Sequence, residues 1–317
     1  MALAAATGCV SRGPLVAPGL EARAPRQVEL TQTPFFPQRE YQCGPAALAT
    51  VLAASGVNVT PDELTPRIYI PQRHGSLQPE MIAATREYDR LAVALEPNVE
   101  ALLQEVAAGN PVLVLQNLGV RAVPLWHYAV VVGFDAARDS LVLRSGEDAR
   151  ERTSARRFIY SWDLARNWAL VVVRPDNIPA TATAASFAAA AAGLEAAHRY
   201  DAALAAYRAA HQRWPEDTTA LLGIGNVQYA TGHLLDAEQA YRQVLALSEH
   251  DAVARNNLAQ VLLERGDAQS ALVEVLRARS ELADQRLAPM LAATEAEVRS
   301  ALATPALARP NEHAGNN

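Results

Sequence analysis

The chain has 317 residues, of which 50% are hydrophobic and 20% are charged, a composition typical of globular domains and not of disordered or fibrous proteins. It contains no lysine, and its net charge of −6 includes no basic block that could follow a nucleic-acid backbone. Two cysteines, Cys9 and Cys43, allow at most one bridge, and no run approaches the roughly 20 apolar residues of a transmembrane helix. We therefore expect two folded domains, a thiol with a catalytic role rather than a disulfide framework, and no nucleic-acid partner.

The N-terminal segment permits two interpretations. Its first nine residues, MALAAATGC, are small and apolar, and a stretch rich in Pro, Gly and Arg follows to residue 33. This resembles the end of a bacterial lipoprotein signal, which would place the protein in the bacterial cell envelope, facing the periplasm and attached to the membrane through a lipidated Cys9. The charged n-region is missing and the apolar run is short. Either the true start lies upstream of Met1, or residues 1–33 are an unstructured arm of a cytoplasmic protein.

Residues 34–177 change from a helical to a β-branched pattern. Apolar residues at helical spacing predict helices at 45–54, 78–88 and 99–108, the first ending at Gly56. Short β-branched runs then predict strands in PVLVLQNL, HYAVVVGFD, SLVLRS, RRFIYS and ALVVVRP. Helices followed by strands indicate an α+β domain with a mainly antiparallel sheet.

An internal repeat follows. When Gly225 is aligned with Ala259, 34 residues later, Gly232 falls on Gly266, so small residues recur at one period. This pattern resembles the tetratricopeptide repeat (TPR), in which small residues allow paired helices to cross closely. The resemblance implies an all-α TPR superhelix of three units with a capping helix, and a surface that binds a protein or peptide partner. The predicted bounds are a linker at 178–183, the array at 184–303 and a disordered tail at 304–317.

Cys43 lies directly before Gly44 and Pro45, at the start of the first predicted helix. Proline suits the first helical position, so the thiol should lie where unpaired N–H groups and the helix dipole favour a thiolate. An unperturbed thiol, with a pKa of about 8.5, needs such a potential to act as a nucleophile near neutral pH. The N–H of Cys43 and the side-chain amide of Gln38 could then hold a developing oxyanion.

The base of a cysteine nucleophile should be a histidine brought in from elsewhere in the fold. His127 begins the strand HYAVVVGFD, a rigid position from which a side chain can face a cleft. The remaining histidines lie in a loop, in the repeat array or in the tail: His74, His198, His211, His233, His250 and His313. We therefore choose His127 as the base.

CGPAALATVL with Gln38 upstream, and HYAVVVGFD beginning 84 residues after the cysteine, together resemble the papain-like cysteine peptidases of the bacteriocin-processing, double-glycine-leader type. The resemblance covers residues 33 to 175. It implies a papain-like α+β peptidase domain in which Cys43 is the nucleophile, His127 is the general base and then acid, and Gln38 is an oxyanion donor. It also suggests cleavage after small residues such as Gly-Gly.

The third catalytic residue departs from this family. The family carries an aspartate near the end of the next strand, where this chain has Ser145 in LVLRSG. A serine accepts a hydrogen bond from the imidazole but adds no charge, so it stabilises an imidazolium less than a carboxylate does. Glu147 or Asp148 would substitute if the hairpin register slipped. A Cys-His dyad, a triad with an unusual third residue, and a reduced activity all stay open.

Three functions are consistent with these residues. The first is a cysteine peptidase with a TPR module, the second a peptidase-like peptide-binding or adaptor protein without catalysis, and the third an acyl transferase that uses the same cysteine. No two pairs of His, Cys or carboxylate residues have matching ligand spacing, and GIGNVQ lies within a repeat helix and not in a phosphate loop. We therefore expect neither a metal nor a cofactor.

Overall fold

The computed structural model describes residues 26–38 and 41–303, and these form two compact units divided between Ala209 and Ala210. The predicted lipidation of Cys9, the arm at residues 1–25 and the tail at 304–317 lie outside the described residues. The described helices include none that is both long and apolar enough to cross a membrane.

The first unit is built around an antiparallel sheet. Its strands are β1 (Gln27–Glu29), β2 (Leu91–Ala94), β3 (Val112–Asn117), β4 (Trp126–Asp135), β5 (Ser140–Ser145), β6 (Asp148–Ser154) and β7 (Ala169–Val173). They are arranged in the order β2-β7-β3-β4-β5-β6, and β1 pairs with the end of β4 beyond the start of β3. β4 is therefore central, and the start of β4 pairs with the end of β3.

Helices cover both faces of this sheet. The helices that lie wholly in the first unit are α1 (Cys43–Ala54), α2 (Pro61–Ile68), α3 (Gln78–Glu87), α4 (Val99–Ala107), α5 (Ala155–Leu164) and α6 (Ala184–Ala196), and α7 (Tyr200–Arg213) spans the division between the two units. α1 to α3 share one core with alternate residues of β3 and β4, among them Leu115, Tyr128 and Val130. α5 lies on the opposite face, where the Gln116 side chain donates to the Ser161 hydroxyl at 2.7 Å. The predicted α+β class is confirmed, and so are the helices α1, α3 and α4.

One predicted strand is wrong. RRFIYS lies in α5, which begins after Ser154, whose hydroxyl accepts from the Arg157 N–H at 3.4 Å. Phe158 and Trp162 are both buried and lie four residues apart, so they face the core together from one side of a helix. The run of aromatic and β-branched residues indicated a strand, but the capping serine and this spacing decide for a helix.

Residues 27–29, which sequence analysis assigned to the N-terminal arm, belong to the sheet as β1. Gly133 of β4 lies opposite, and a Cβ at this position would come within 2.6 Å of the Val28 carbonyl oxygen. Glu29 also receives two hydrogen bonds from the Arg150 guanidinium, each 2.6 Å long. A close backbone approach and a bidentate ion pair therefore fix the segment that leads towards the candidate site.

The second unit consists of the helices α8 (Thr218–Ala230), α9 (Leu234–Leu247), α10 (Ala252–Glu264), α11 (Ala268–Ser280) and α12 (Ala288–Ala303). α8 contacts α9, and α10 contacts α11, as expected for successive TPR hairpins. A Cβ on Gly225 would lie 2.4 Å from the ring of Tyr241, so the glycine at this small-residue position of the repeat allows the close crossing. The predicted class of an all-α TPR superhelix is confirmed, and α12 occupies the position of the predicted capping helix. The bounds 184–303 stay a prediction, and α6 at their start belongs to the first unit.

A buried carboxylate holds the segment between β7 and α6. Glu105 of α4 has no exposed surface, and its two oxygens accept hydrogen bonds from the Thr181 N–H and hydroxyl, both at 2.6 Å, and from the Ala180 N–H at 3.3 Å. The Asn110 amide donates to the same carboxylate at 2.7 Å. Four donors offset the cost of removing this charge from water, and they tie the predicted linker to α4.

Replacing Glu105 by alanine should therefore lower the free energy of unfolding of the first unit by about 1–3 kcal/mol, because buried N–H groups lose their acceptor. Urea unfolding followed by tryptophan fluorescence measures this loss. Glu100→Ala is the matched control, since Glu100 is exposed on the same helix and pairs only with the Gln104 amide. Equal unfolding midpoints for the two variants would contradict this account of Glu105.

Candidate active site

The N-terminus of α1 packs tightly against the loop that carries Ser76. Cys43 is the first residue of the helix, and a Cβ on Gly44 would lie 2.4 Å from the Ser76 Oγ atom. Any side chain at position 44 would push the helix away from this loop. Pro45 lies in the first turn, where its missing N–H leaves no hydrogen bond unmade. The Cys-Gly-Pro sequence thus allows the thiol to be held at a close contact between two segments.

Burial raises the pKa of the Cys43 thiol, although the N–H groups of Tyr128, Gly44 and Cys43 itself act in the opposite direction. The N–H groups at the helix N-terminus lower this pKa as expected, but desolvation outweighs them, so the net shift of the resting thiol is upward. The Tyr128 N–H belongs to the peptide bond that joins Tyr128 to His127. The thiol therefore lies beside the backbone that carries the predicted base.

The His127 imidazole is hydrogen-bonded to Ser145, with 2.9 Å between Nε2 and Oγ. Burial lowers the pKa of His127, and the negative charge of Glu151 only partly opposes this. The ring is thus neutral near pH 7. When Nε2–H donates to Ser145, the Nδ1 lone pair is left to accept a proton. Among the described residues, no direct hydrogen bond joins the imidazole to the Cys43 thiol.

Of the residues considered for the third position, Ser145 is the one that contacts the imidazole. It ends β5 and is buried, whereas Glu147, in the turn that follows, and Asp148, the first residue of β6, are exposed. The Asp148 carboxylate accepts from the Arg150 N–H at 2.8 Å. The His127 imidazole is therefore hydrogen-bonded to a hydroxyl, and the carboxylate whose charge acts on its pKa is that of Glu151, at longer range.

Gln38 belongs to the same cluster. Its N–H donates to the Gly146 carbonyl oxygen at 2.9 Å, and its side-chain Nε2 donates to the Tyr128 carbonyl oxygen at 3.1 Å. A primary amide has two N–H donors, so one remains for a ligand. The structure thus places the Gln38 side chain at the backbone that also contacts the thiol.

Cys43, His127 and Gln38 line a cleft of about 1170 Å³. Sequence reasoning missed several residues of its walls, among them Tyr41, His74, Ser76 and Trp126. The Tyr41 and His74 rings lie 5.0 Å apart, and both residues have left-handed backbones, with φ of 60° and 47°. A lone loop histidine and a tyrosine carry no sequence signal for such a contact. The described residues contain no group of three or more His, Cys, Asp or Glu side chains that could hold a metal ion.

Comparison with known proteins assigns the two parts of the chain separately. Residues 30–169 match the Peptidase_C39 like family, and residues 188–252 and 224–281 match the tetratricopeptide repeat. No curated protein matches the chain.

Solved structures give more distant likenesses. A putative C39-like peptidase from Bacillus anthracis has 18% identity and a TM-score of 0.40, with 47% of this chain and 98% of that chain covered. The peptidase domain of Streptococcus ComA, a bi-functional ABC transporter, has 17% identity and a TM-score of 0.36, with coverage of 45% and 98%. The Yersinia enterocolitica chaperone SycD, in complex with a peptide of the translocator YopD, has 17% identity and a TM-score of 0.34, with coverage of 36% and 90%.

The raised pKa of Cys43 predicts slow alkylation at neutral pH. Because only the thiolate reacts, the rate with iodoacetamide should be lower than in the urea-unfolded chain near pH 7 and should keep rising above the ordinary thiol range. Mass spectrometry of the peptide that contains Cys43, labelled across a pH series, measures this profile. A half-maximal rate below about pH 8.5 would show that the thiol is activated at rest.

A carboxylate in place of Ser145 should raise the pKa of His127 by about 1–3 pH units, because a negative charge beside Nε2 stabilises the imidazolium. NMR titration of the imidazole signals in Ser145→Asp tests this. Ser145→Ala is the matched control, since it removes the hydroxyl and adds no charge. If Ser145→Asp titrates like the unchanged protein, then position 145 does not act on the imidazole.

Proposed function

We propose that this chain, which joins a C39-like peptidase domain to tetratricopeptide repeats, is a cysteine peptidase with Cys43 as nucleophile and His127 as base. One observation carries the proposal: the Nε2–Ser145 contact leaves Nδ1 of His127 available, on the residue whose backbone also contacts the thiol. The Gln38 side chain lies beside the same backbone, because its Nε2 donates to the Tyr128 carbonyl oxygen. Cys43, His127 and Gln38 line one cleft, which supports the roles of nucleophile, base and oxyanion donor that we propose for them.

In this mechanism His127 Nδ1 takes the thiol proton as the Cys43 sulfur attacks the carbonyl carbon of the substrate. The Cys43 N–H and the second N–H of the Gln38 amide hold the oxyanion. The imidazolium then protonates the leaving amine, and a thioester to Cys43 remains. Water attacks the thioester with His127 again acting as base, which releases the acid product and restores the thiol.

The protonation states favour general-base catalysis over a resting ion pair. Burial raises the pKa of the thiol and lowers that of the imidazole, so both groups are neutral before substrate binds. Proton transfer then accompanies the attack on the carbonyl. The Ser145 hydroxyl orients the ring. When His127 becomes protonated, the hydroxyl oxygen accepts from Nε2–H and stabilises the imidazolium through its dipole.

A non-catalytic peptide-binding or adaptor protein is the second candidate. It is favoured by the lack of a direct thiol–imidazole hydrogen bond among the described residues and by the serine where the resembled family has aspartate. Hydrogen bonds at catalytic sites commonly shorten only when substrate binds, so we prefer the peptidase. Acyl transfer to an amine would proceed through the same thioester.

The repeats contribute a helical surface for a protein or peptide partner, the role that such arrays commonly have. The cell-envelope location, with attachment through Cys9, is a further proposal, and it is supported only by the composition of the first nine residues.

Peptide cleavage by the full chain should be lost in Cys43→Ala and should fall by about 10²–10⁴-fold in His127→Ala, since it loses its general base. Mass spectrometry of a synthetic peptide mixture, incubated with and without an added amine, reports the products. Ser140→Ala is the control and should cleave as the unchanged protein does, since Ser140 lies at the other end of β5 from Ser145.

The three functions predict different products. Peptide bonds cut only when Cys43 is present support the peptidase, whereas amide products with the added amine support the acyl transferase. Peptides that bind and stay intact favour the adaptor. Cleavage that persists in Cys43→Ala would remove Cys43 from the mechanism.

A further inference from the structure

The β3–β4 hairpin presents apolar side chains to solvent beside the cleft. Of the twelve large apolar side chains that are exposed in the described residues, five lie between positions 118 and 126. They are Leu118, Val120, Val123, Leu125 and Trp126. Such a concentration on one short segment marks an interaction surface more often than chance exposure does.

The hairpin is rigid because hydrogen bonds hold its backbone. Buried Asn117 accepts through Oδ1 from the Gly119 N–H at 3.0 Å and from the Leu125 N–H at 2.9 Å. Val120 and Val123 exchange two backbone hydrogen bonds of 3.2 and 3.1 Å. A Cβ on Gly119 would lie 2.4 Å from the Val123 carbonyl oxygen, so this tight shape requires glycine. The apolar side chains are therefore preorganised for a ligand.

The surface is continuous with the candidate active site. Leu125 and Trp126 line the cleft together with Cys43 and His127, and Trp126 immediately precedes the base. A peptide that lies in the cleft would thus continue along the hairpin without crossing a gap. A lipid surface has no comparable reason to contact residues beside the nucleophile.

The charge of the cleft also restricts its occupant. Arg73 and Arg166 line it, and neither forms an ion pair within the described part of the chain. Among the described residues of the lining Glu147 is the acidic one, so arginine is in excess there although the whole chain carries −6. Unpaired guanidinium groups favour a ligand with carboxylates.

We propose that the β3–β4 hairpin is a docking element for apolar side chains of the peptide substrate, and that Arg73 and Arg166 select acidic residues in the same peptide. This rests on the proposed peptidase function and defines its substrate class. The substrate is an extended, acidic and apolar peptide segment.

Binding to the full chain with Cys43→Ala tests the proposal without hydrolysis. The probe is a fluorescein-labelled peptide of about twelve alternating leucine and glutamate residues, about 40 Å long when extended. We expect saturable binding by fluorescence anisotropy.

The hairpin variant carries Val120→Ser and Val123→Ser, which replace side chains that are 55% and 72% exposed, and should bind at least about tenfold more weakly. Val273→Ser, at a residue 62% exposed in the second unit, is the control and should bind unchanged.

Charge selection is measured with the same assay. Arg166→Gln should weaken binding of the leucine–glutamate peptide and leave a leucine–glutamine peptide unaffected. No saturable binding at up to about 1 mM peptide, or equal affinity in the hairpin variant, would overturn the proposal. It would also be overturned if the hairpin variant lost only its binding to vesicles of phosphatidylcholine and phosphatidylglycerol.

The outcomes separate this inference from the proposed function. Peptide that binds through the hairpin but is not cut by the protein with Cys43 intact means that the docking element exists and the peptidase proposal fails. If the variant with Val120→Ser and Val123→Ser cleaves peptides as fast as the unchanged protein does, then the peptidase proposal holds and the docking proposal fails.

Discussion

Burial of the α1 N-terminus against the start of β4 is the constraint on which the candidate site depends. Gly44 passes Ser76 with no room for a Cβ, and the Tyr128 N–H reaches the Cys43 thiol. The same burial removes thiol and imidazole from water, so it raises the pKa of Cys43 and lowers that of His127. The position of the two groups and their neutral resting states therefore have one physical cause.

The contact between Ser145 and the His127 imidazole follows from the register of β4 and β5. β5 pairs with β4 so that it ends beside the start of β4, and the last residue of β5 is Ser145. A hydroxyl at this point orients the ring but adds no charge, and it can either accept from Nε2–H or donate to Nε2. Glu151, on β6, supplies the negative charge that acts on His127, and its effect is weaker than that of burial. These contacts thus orient a neutral imidazole more than they stabilise a charged one.

Parts of the fold were predictable because their signals are local. The helix that begins at Cys43 and the strand that carries His127 both follow from apolar spacing and punctuation by Gly and Pro. β6 was missed because it is a largely exposed edge strand whose sequence, DARERTS, has no apolar alternation. RRFIYS was assigned to a strand because its composition was weighed above the Ser154 cap. In both segments, composition alone did not show which side chains would be buried in the core.

The sequence by itself determined the class of both parts of the chain, the nucleophile and base candidates, and the 34-residue repeat, because each depends on residue type and short-range period. Tertiary structure decided that Ser145 and not Glu147 or Asp148 contacts the imidazole, and that Gln38 reaches the Tyr128 carbonyl. It also decided that desolvation outweighs the helix N-terminus at the thiol. These outcomes depend on strand register and on the water excluded by packing, which are set by contacts between residues far apart in the chain.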